Sequence, residues 1–290
     1  MAWLQYFITG LTLGSTYWLT GLGFTLIWSS TGIINFAQGE FMMLGGMLAV
    51  FGIKFIGLSL LASIIFAVLT TAIIGAIVEL LVIRPMQHRP TIHLIIATLG
   101  AAIVIRGVVM LFLGKDTHAL EPFTHHAPLK IFGAALVPQS LWVLVTTTGV
   151  VAALRFFFAS TLEGKAMRAC ACDPKAAALV GVAVPHMVLI SFVLSAFIGA
   201  FGGVLLASIT MTSYDVGIML GLKGFAACIV GGLGNPFGAV AGGLLLGVLE
   251  SYAARYISSA YKDAVALVAL LVVLFLRPSG IFARKDVQRV

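Results

Sequence analysis

Nine stretches of mostly apolar residues follow one another along the chain, at 4–28, 36–55, 58–83, 91–113, 136–158, 186–209, 216–232, 237–257 and 264–276. Most approach the roughly 20 residues that carry a helix across a bilayer. Short polar or glycine-containing segments separate them. The pattern predicts an all-α, polytopic membrane helix bundle of about nine spans, with breaks near residues 29–35 and 233–237. The second break holds Gly234-Asn235-Pro236, where proline cannot continue a helix.

Composition removes the soluble alternative. Hydrophobic residues make up 61% of the 290 and charged residues 9%, against ~25% charged in soluble domains. A soluble fold would lack the polar surface to cover its exterior, whereas a bilayer accepts an apolar one. Mean hydropathy is +1.13. Residues 1–290 read as a single transmembrane domain with a polar loop at 160–185. The opening Met-Ala-Trp-Leu-Gln lacks the basic region of a cleavable signal, so the first run reads as a retained span. The net charge of +7 would suggest nucleic acid on a soluble protein. Here the cations sit between apolar runs, where the positive-inside rule accounts for them. Ten of the 17 fall on the side of the 84–90 turn, the 160–185 loop and the C-terminus, five on the other, and Arg106 and Lys223 lie inside runs. That asymmetry predicts N-terminus out and C-terminus in.

Polar residues inside this apolar background are the candidates for mechanism. The segment Ser29 to Glu40 interrupts two runs; it is either an interfacial turn or a non-helical stretch of the kind that contacts solute in transporters. Lys223, in Gly221-Leu222-Lys223-Gly224-Phe225, either snorkels to the outer interface or is buried and functional. These segments make Asn35, Gln38, Glu40, Lys223 and Asn235 a candidate solute path. Arg106 lies near the middle of its run, and Glu79 and Glu250 are possible partners for the buried cations. Glycines spaced by four, Gly10/Gly14, Gly199/Gly203, Gly238/Gly242 and Gly243/Gly247, make flat stripes for close helix packing, within the chain or against another subunit.

The loop at 160–185 carries its own helix signals. Ser160-Thr161-Leu162-Glu163 fits a capping box ahead of a short helix at 164–172. Asp173-Pro174 then offers an N-cap followed by proline at the first helical position, and a second short helix should stop at Gly181. Helices this rich in Ala, Met and Val either dock into a partner or pack on their own bundle. There is no phosphate-binding loop: Gly164-Lys165 has Ala159 where the first glycine belongs and Ala166 after the lysine. No nucleophile or metal-protease motif occurs. Cys170, Cys172 and Cys228 lack metal-ligand spacing, and His118, His125 and His126 cluster without a convincing ligand set.

The stretches Gly10-Leu11-Thr12-Leu13-Gly14-Ser15, Leu22-Gly23-Phe24-Thr25-Leu26-Ile27 and Thr31-Gly32-Ile33-Ile34-Asn35-Phe36-Ala37-Gln38-Gly39-Glu40 resemble the N-terminal signature of the branched-chain amino acid ABC-permease family, LivH type. That family usually has His where Gln38 stands. Gly164-Lys165-Ala166-Met167-Arg168-Ala169-Cys170 with Asp173 is similar to its cytoplasmic coupling segment, and Gly231-Gly232-Leu233-Gly234, 258–263 and Arg277-Pro278-Ser279-Gly280 continue the likeness. The resemblance implies a bacterial inner-membrane importer working by alternating access. This chain would pair with a homologous LivM-type permease. Two cytoplasmic ATPases holding the ATP and Mg would drive it, and a periplasmic binding protein would deliver solute. It assigns ATPase coupling to Glu163, Gly164, Lys165, Met167, Arg168, Asp173 and Gly181, with no cofactor in this chain. It leaves the solute open among branched-chain amino acids, urea, amides and aromatic or other organic acids. The residues alone leave a partner-independent secondary transporter or channel, a membrane-embedded enzyme and a purely structural membrane subunit as the competing classes.

Overall fold

The computed structural model describes residues 2–87, 89–124, 129–131 and 134–282; His125, His126 and the tail cations Arg284, Lys285 and Arg289 lie outside the described residues. In chain order the elements are α1 (Ala2–Thr31), α2 (Gln38–Lys54), α3 (Leu60–Val78), α4 (Thr91–Leu113), a hairpin of β1 (Leu129–Ile131) and β2 (Ala134–Leu136), α5 (Pro138–Ser160), α6 (Leu162–Cys172), α7 (Pro174–Leu179), α8 (Val184–Ala207), α9 (Val216–Gly231), α10 (Pro236–Tyr256) and α11 (Lys262–Leu276). Among the described residues nine helices have fifteen residues or more, one on each apolar run. The all-α bundle holds apart from the small antiparallel hairpin, which pairs Leu129 with Leu136 and Ile131 with Ala134.

Five helical segments are long and apolar enough to cross a membrane by length and composition: Leu60–Met86, Thr91–Leu113, Pro138–Ser160, Val184–Ala207 and Pro236–Tyr256. The first is α3 prolonged by a π-helical turn, Glu79–Ile83, and a 3₁₀ turn, Arg84–Met86. α1 has 30 residues but dilutes its hydropathy with Thr, Ser and Gly. α2, α9 and α11 have 17, 16 and 15 residues. α2 is short and almost wholly buried, with Phe41, Met42 and Met43 inaccessible. Neighbouring helices rather than lipid surround its first half, which relaxes the length a lone span requires.

α1, α2, α8, α9 and α10 form the centre, and glycine decides how closely they approach. A Cβ on Gly10 would sit 2.6 Å from Val248 Cα, and one on Gly14 would sit 2.8 Å from Leu244 Cα. Gly243 and Gly247 answer from α10 against Trp18 and Gly14. Gly199 and Gly203 receive α2, and Gly238 and Gly242 receive α9. All four sequence doublets are therefore spent on packing inside the chain. α3, α4 and α5 lie outside this centre and present Leu61, Ile103, Leu111, Phe112 and Val145 outward. An exposed apolar band of this extent is the surface of a protein solvated by lipid.

Two boundaries differ from the sequence reading for one reason. α1 runs on through Ser29, Ser30 and Thr31, because hydroxyls can bond back to their own helix: Thr31 Oγ1 donates to Ile27 O at 2.6 Å and Ser30 Oγ to the same carbonyl at 3.1 Å. The first break therefore spans 32–37, opening at Gly32 with φ +66°. The cap of α6 is Thr161, one residue beyond the expected Ser160: Thr161 Oγ1 accepts from Gly164 N at 3.0 Å, whereas Ser160 bonds back to Phe156 O. Glu163 thus sits in the first turn without closing a capping box. The second break, 232–235, falls where expected, with positive φ at Gly232 and Gly234.

Candidate functional site

The α6–α7 pair lies at the end of the bundle where α1 finishes and α10 begins. Asp173 caps α7, its Oδ1 accepting from Lys175 N at 2.8 Å and Ala176 N at 3.1 Å, and Gly181 turns the chain at φ +90°. One face of α6 is buried. Gly164 sits against Phe157 O and Phe158 Cα, and Met167, Cys170, Ala177 and Met187 form an apolar cluster. Burial pushes the Cys170 thiol above its ordinary range. Glu163, Lys165, Arg168, Cys172 and Asp173 face outward, and Leu162, Leu179 and Val180 are bare at 83%, 89% and 79% exposure. The seven residues assigned to coupling thus divide. Gly164 and Met167 seat the helix on its own bundle, and the other five stay accessible.

Between this pair and the helix ends lies a cavity of about 1170 Å³. Its wall takes in residues 28–31 of α1 with Gly32 of the break, Arg155 and Phe158 of α5, Met167 and Arg168 of α6, and Asn235 and Phe237 at the start of α10. Both sequence breaks and the short-helix loop therefore meet at one space. Asn235 Oδ1 accepts from Phe237 N at 3.1 Å and caps α10, while its Nδ2 donates to Phe282 O at 2.8 Å. Neither Arg155 nor Trp28 was singled out from the sequence; nothing in a one-dimensional pattern shows which run ends share a cavity.

The remaining candidates sit apart from this cavity. Gln38 is fully buried between α1 and α8: Nε2 donates to Ser195 O at 3.2 Å, and Ser195 Oγ lies 2.5 Å from Gln38 Oε1 and 3.0 Å from Gly23 O. Asn35 is buried, its Oδ1 accepting from Ala37 N at 3.1 Å and its Nδ2 without a partner among the described residues. Glu40 pairs with Arg106. That contact links α2 to α4 and explains an arginine in the middle of an apolar helix.

Lys223 is buried. Its Nζ donates to Glu250 Oε1 at 2.8 Å, Asp263 Oδ1 at 2.6 Å and Tyr17 Oη at 3.1 Å, so it joins α9 to α10, α11 and α1 instead of snorkelling. Glu79, in the π turn, pairs with Arg84 at 3.3 Å. Arg106, Lys223, Glu79 and Glu250 thus each have an ionic partner. Tyr17 and Asp263 completed the Lys223 cluster without any local sequence cue. His118 pairs its backbone with Thr212 and lies 3.3 Å from Lys54 Nζ. No group of three potential ligands that could hold a metal occurs among the described residues.

Residues 6–274 match the family model described as the branched-chain amino acid transport system / permease component. The high-affinity branched-chain amino acid transport system permease protein LivH of Salmonella typhimurium is 33% identical, covering 99% of this chain and 97% of its own. The corresponding permease protein BraD of Pseudomonas aeruginosa is 32% identical, at 99% and 98%. Among solved structures, PsaBC from Streptococcus pneumoniae in complex with Fab has a chain with a TM-score of 0.51 at 11% identity, covering 95% of this chain and 92% of that one; this is a likeness of fold. With the family match running from the first long helix into the last, the chain belongs to the permease components of branched-chain amino acid transport systems.

Proposed function

We propose that this chain is one membrane subunit of an ATP-driven, binding-protein-dependent importer of branched-chain amino acids. It sits in a bacterial inner membrane with nine spans, N-terminus out and C-terminus in. A second, homologous permease completes the solute path. Two ATPases dock on the outward face of α6 and α7, and a periplasmic binding protein presents solute at the other end. ATP-driven closure of the ATPases pushes on α6 and rocks the surrounding helices between outward and inward access.

The observation that carries this reading is the α6–α7 pair: two capped short helices, buried on one face, bare on the other, and lining a large cavity with residues of both faces. Such a device suits a chain that has no phosphate loop and must take its power from a partner. The buried charges point the same way. Arg106, Lys223, Glu79 and Glu250 are committed to ion pairs, so they are not the free intramembrane carboxylates or cations with which an ion-coupled transporter works.

Reconstitution in liposomes tests the proposal. Uptake of labelled leucine, urea and an aromatic acid is followed with and without the ATPases, second permease and binding protein. Leucine uptake that requires the complete set and ATP is the expected result. Uptake by this chain alone, driven by an ion gradient, would overturn it.

A further inference from the structure

Features that hydrocarbon does not tolerate gather on one side of the bundle. α3 and α5 carry none of them. The α3 span with its extension has 27 residues and α5 has 23. α3 holds no ionisable residue between Leu60 and Val78, and the threonines at 146–148 of α5 bond back to their own helix. The face from α4 round to α11 is different. Arg106 lies about 10 Å of helix from the nearer end of α4, and its side chain remains 26% exposed although it pairs with Glu40. Charges at that depth face protein or water, not lipid. Next to it is the 32–37 break. α2 rises only about 25 Å from the break to the exposed Lys54, less than the ~30 Å of the hydrocarbon core, so the break lies at membrane depth. Non-helical backbone persists there only where protein or a water-filled space covers it. Gly32 is nevertheless exposed, and Ile33, Ile34 and Phe36 are half-buried. The third feature is α11, with 15 residues, about 22 Å, between Lys262 and Arg277. Only its Ala266 is buried, and Val268, Leu271, Val272 and Phe275 are exposed. These parts are contiguous. Phe36 N donates to Thr98 Oγ1 of α4 at 3.3 Å, and the Phe36 ring lies 5.8 Å from that of Phe225 on α9. Asp263 of α11 meets Lys223 of α9 at 2.6 Å.

We propose that this α4–α9–α11 face is the seat of a second permease chain of the same fold. The assignment rests on the importer reading and deepens it by naming the surface on which the two permeases meet. Lipid does not suit the face: it would have to solvate a guanidinium and open backbone, and thin by about 8 Å along α11. A permease of the same fold brings its own short last helix and its own break. Set two-fold opposite, the short helices shield one another from the mismatch, and the two breaks enclose a polar space between the chains with Arg106 at its edge. Glycine allows the close approach. Gly100 and Gly107 of α4 are seven residues apart, hence on one face, and a Cβ on either would meet nothing within 4 Å among the described residues. Glycine inside a helix is unfavourable. The paired glycines at the centre of the bundle are each explained by a neighbour within the chain, whereas these two have none, and a facing helix supplies it.

The complete importer is reconstituted with a photo-reactive benzoylphenylalanine placed singly at Ile103 of α4, Leu222 of α9 or Leu271 of α11, and at Ile65 of α3 or Val145 of α5 as controls; all five are exposed in this chain. The intact mass of each adduct identifies the captured molecule. The first three positions should capture the second permease, and the controls phospholipid. A second arm uses the glycines. Gly107→Leu should leave the thermal stability of the chain alone in detergent unchanged and reduce co-purification of the second permease severalfold. Gly149→Leu on α5, equally open, should change neither. Phospholipid alone captured at Ile103, Leu222 and Leu271, permease captured at Ile65 or Val145, or assembly broken by Gly149→Leu and not by Gly107→Leu overturns the assignment. Capture of a second copy of this chain overturns the choice of partner. Leucine uptake by the unsubstituted importer, run in parallel, keeps the two readings apart. Uptake that needs the second permease, without its capture on this face, removes only the surface. Uptake without the second permease removes the importer reading, and the surface with it.

Discussion

Replacing Lys223 by methionine should destabilise the chain more than any other single change at a charged residue. The ammonium is the only cation that Glu250 meets among the described residues. Their side chains are 8% and 3% exposed and 2.8 Å apart, and Glu250 Oε2 already lacks a hydrogen-bond partner among the described residues. Methionine keeps the apolar stem and drops the ammonium, which lies 5.1 Å from the Tyr17 ring centroid, so the loss is the charge and its contacts. Removing one partner of a buried pair costs about 3–5 kcal/mol, because the survivor is left uncompensated, which is roughly two to four decades in the folding equilibrium. Asp263 differs: its carboxylate lies 2.6 Å from the same ammonium but is 39% exposed. Water screens that pair, and Asp263→Asn should cost about 0–1 kcal/mol. Glu250→Gln falls between, since Lys223 keeps Asp263 and Tyr17.

The predicted order is Lys223→Met, then Glu250→Gln, then Asp263→Asn, measured by denaturant titration in mixed micelles or by the fraction remaining monodisperse after heating in detergent. The double variant Lys223→Met/Glu250→Gln completes the cycle. If the cost is an orphaned carboxylate rather than lost packing, the double variant regains most of the stability that Lys223→Met alone loses. A Lys223→Met variant no worse than Asp263→Asn, or a double variant no better than Lys223→Met, would refute the reasoning.

Three further outcomes follow from the packing and the caps. Gly247→Ala should abolish a stable chain, because its Cβ would land on the backbone of Gly14, while Gly149→Ala, with nothing within 4 Å, should be neutral or gain about 0.5–1 kcal/mol by helix propensity; yield and thermal stability in detergent distinguish them. Thr161→Ala and Asp173→Ala should each cost about 0.5–2 kcal/mol of local stability, seen as faster amide exchange confined to residues 162–179, with the long helices unaffected. A short maleimide pulse near neutral pH should modify Cys172 and spare Cys170. Thiolate is the reacting form, and burial holds the Cys170 thiol in its protonated form to higher pH, so its share of label should grow only as pH rises.

Hydropathy made the long helices legible because each must bury or lipid-solvate a continuous apolar face. Asp173-Pro174 and Gly181 were legible because capping and left-handed turns are chosen within three or four residues. The errors came where two local readings tie. Ser160 and Thr161 both suit an N-cap, and the structure uses the second. Ser29 to Thr31 count as polar on a hydropathy scale, yet their hydroxyls are satisfied by the helix that carries them. Partners of the buried charges were illegible for a different reason. Arg106 meets Glu40 across 66 residues and Lys223 meets Tyr17 across 206, distances over which only the assembled packing fixes who is adjacent. The cavity had the same origin, since its wall comes from five separate stretches of chain.

In the importer reading, the way α6 is seated determines which helix moves. Its buried face is clamped between the end of α5, at Phe157 and Phe158, and the start of α8, at Met187. α8 is held firmly: Ser191 Oγ lies 2.7 Å from Ser30 Oγ, and Ser195 bonds to Gly23 and Gln38. α5 is held loosely. Its buried residues are Gln139, Val143 and Thr147, all in the half remote from α6. A load on α6 therefore falls first on residues 148–160 of α5, where Val150, Leu154 and Phe158 are only partly buried against α1 and α8, ahead of the deeply buried α1–α2–α8 block. That half carries Val151, Leu154, Arg155 and Phe158 of the cavity wall, so the load reaches the cavity through one helix without a longer relay. Cross-linking distinguishes the two sides. A cysteine pair at Ser30 and Ser191, joined within the rigid block, should leave ATP-driven uptake largely intact. A pair at Leu154 and Val240, which lie in one apolar cluster between α5 and α10, should abolish uptake while ATPase binding persists, and reduction or cleavage of the link should restore it. Uptake lost in the first pair and kept in the second would place the moving part on α8 instead.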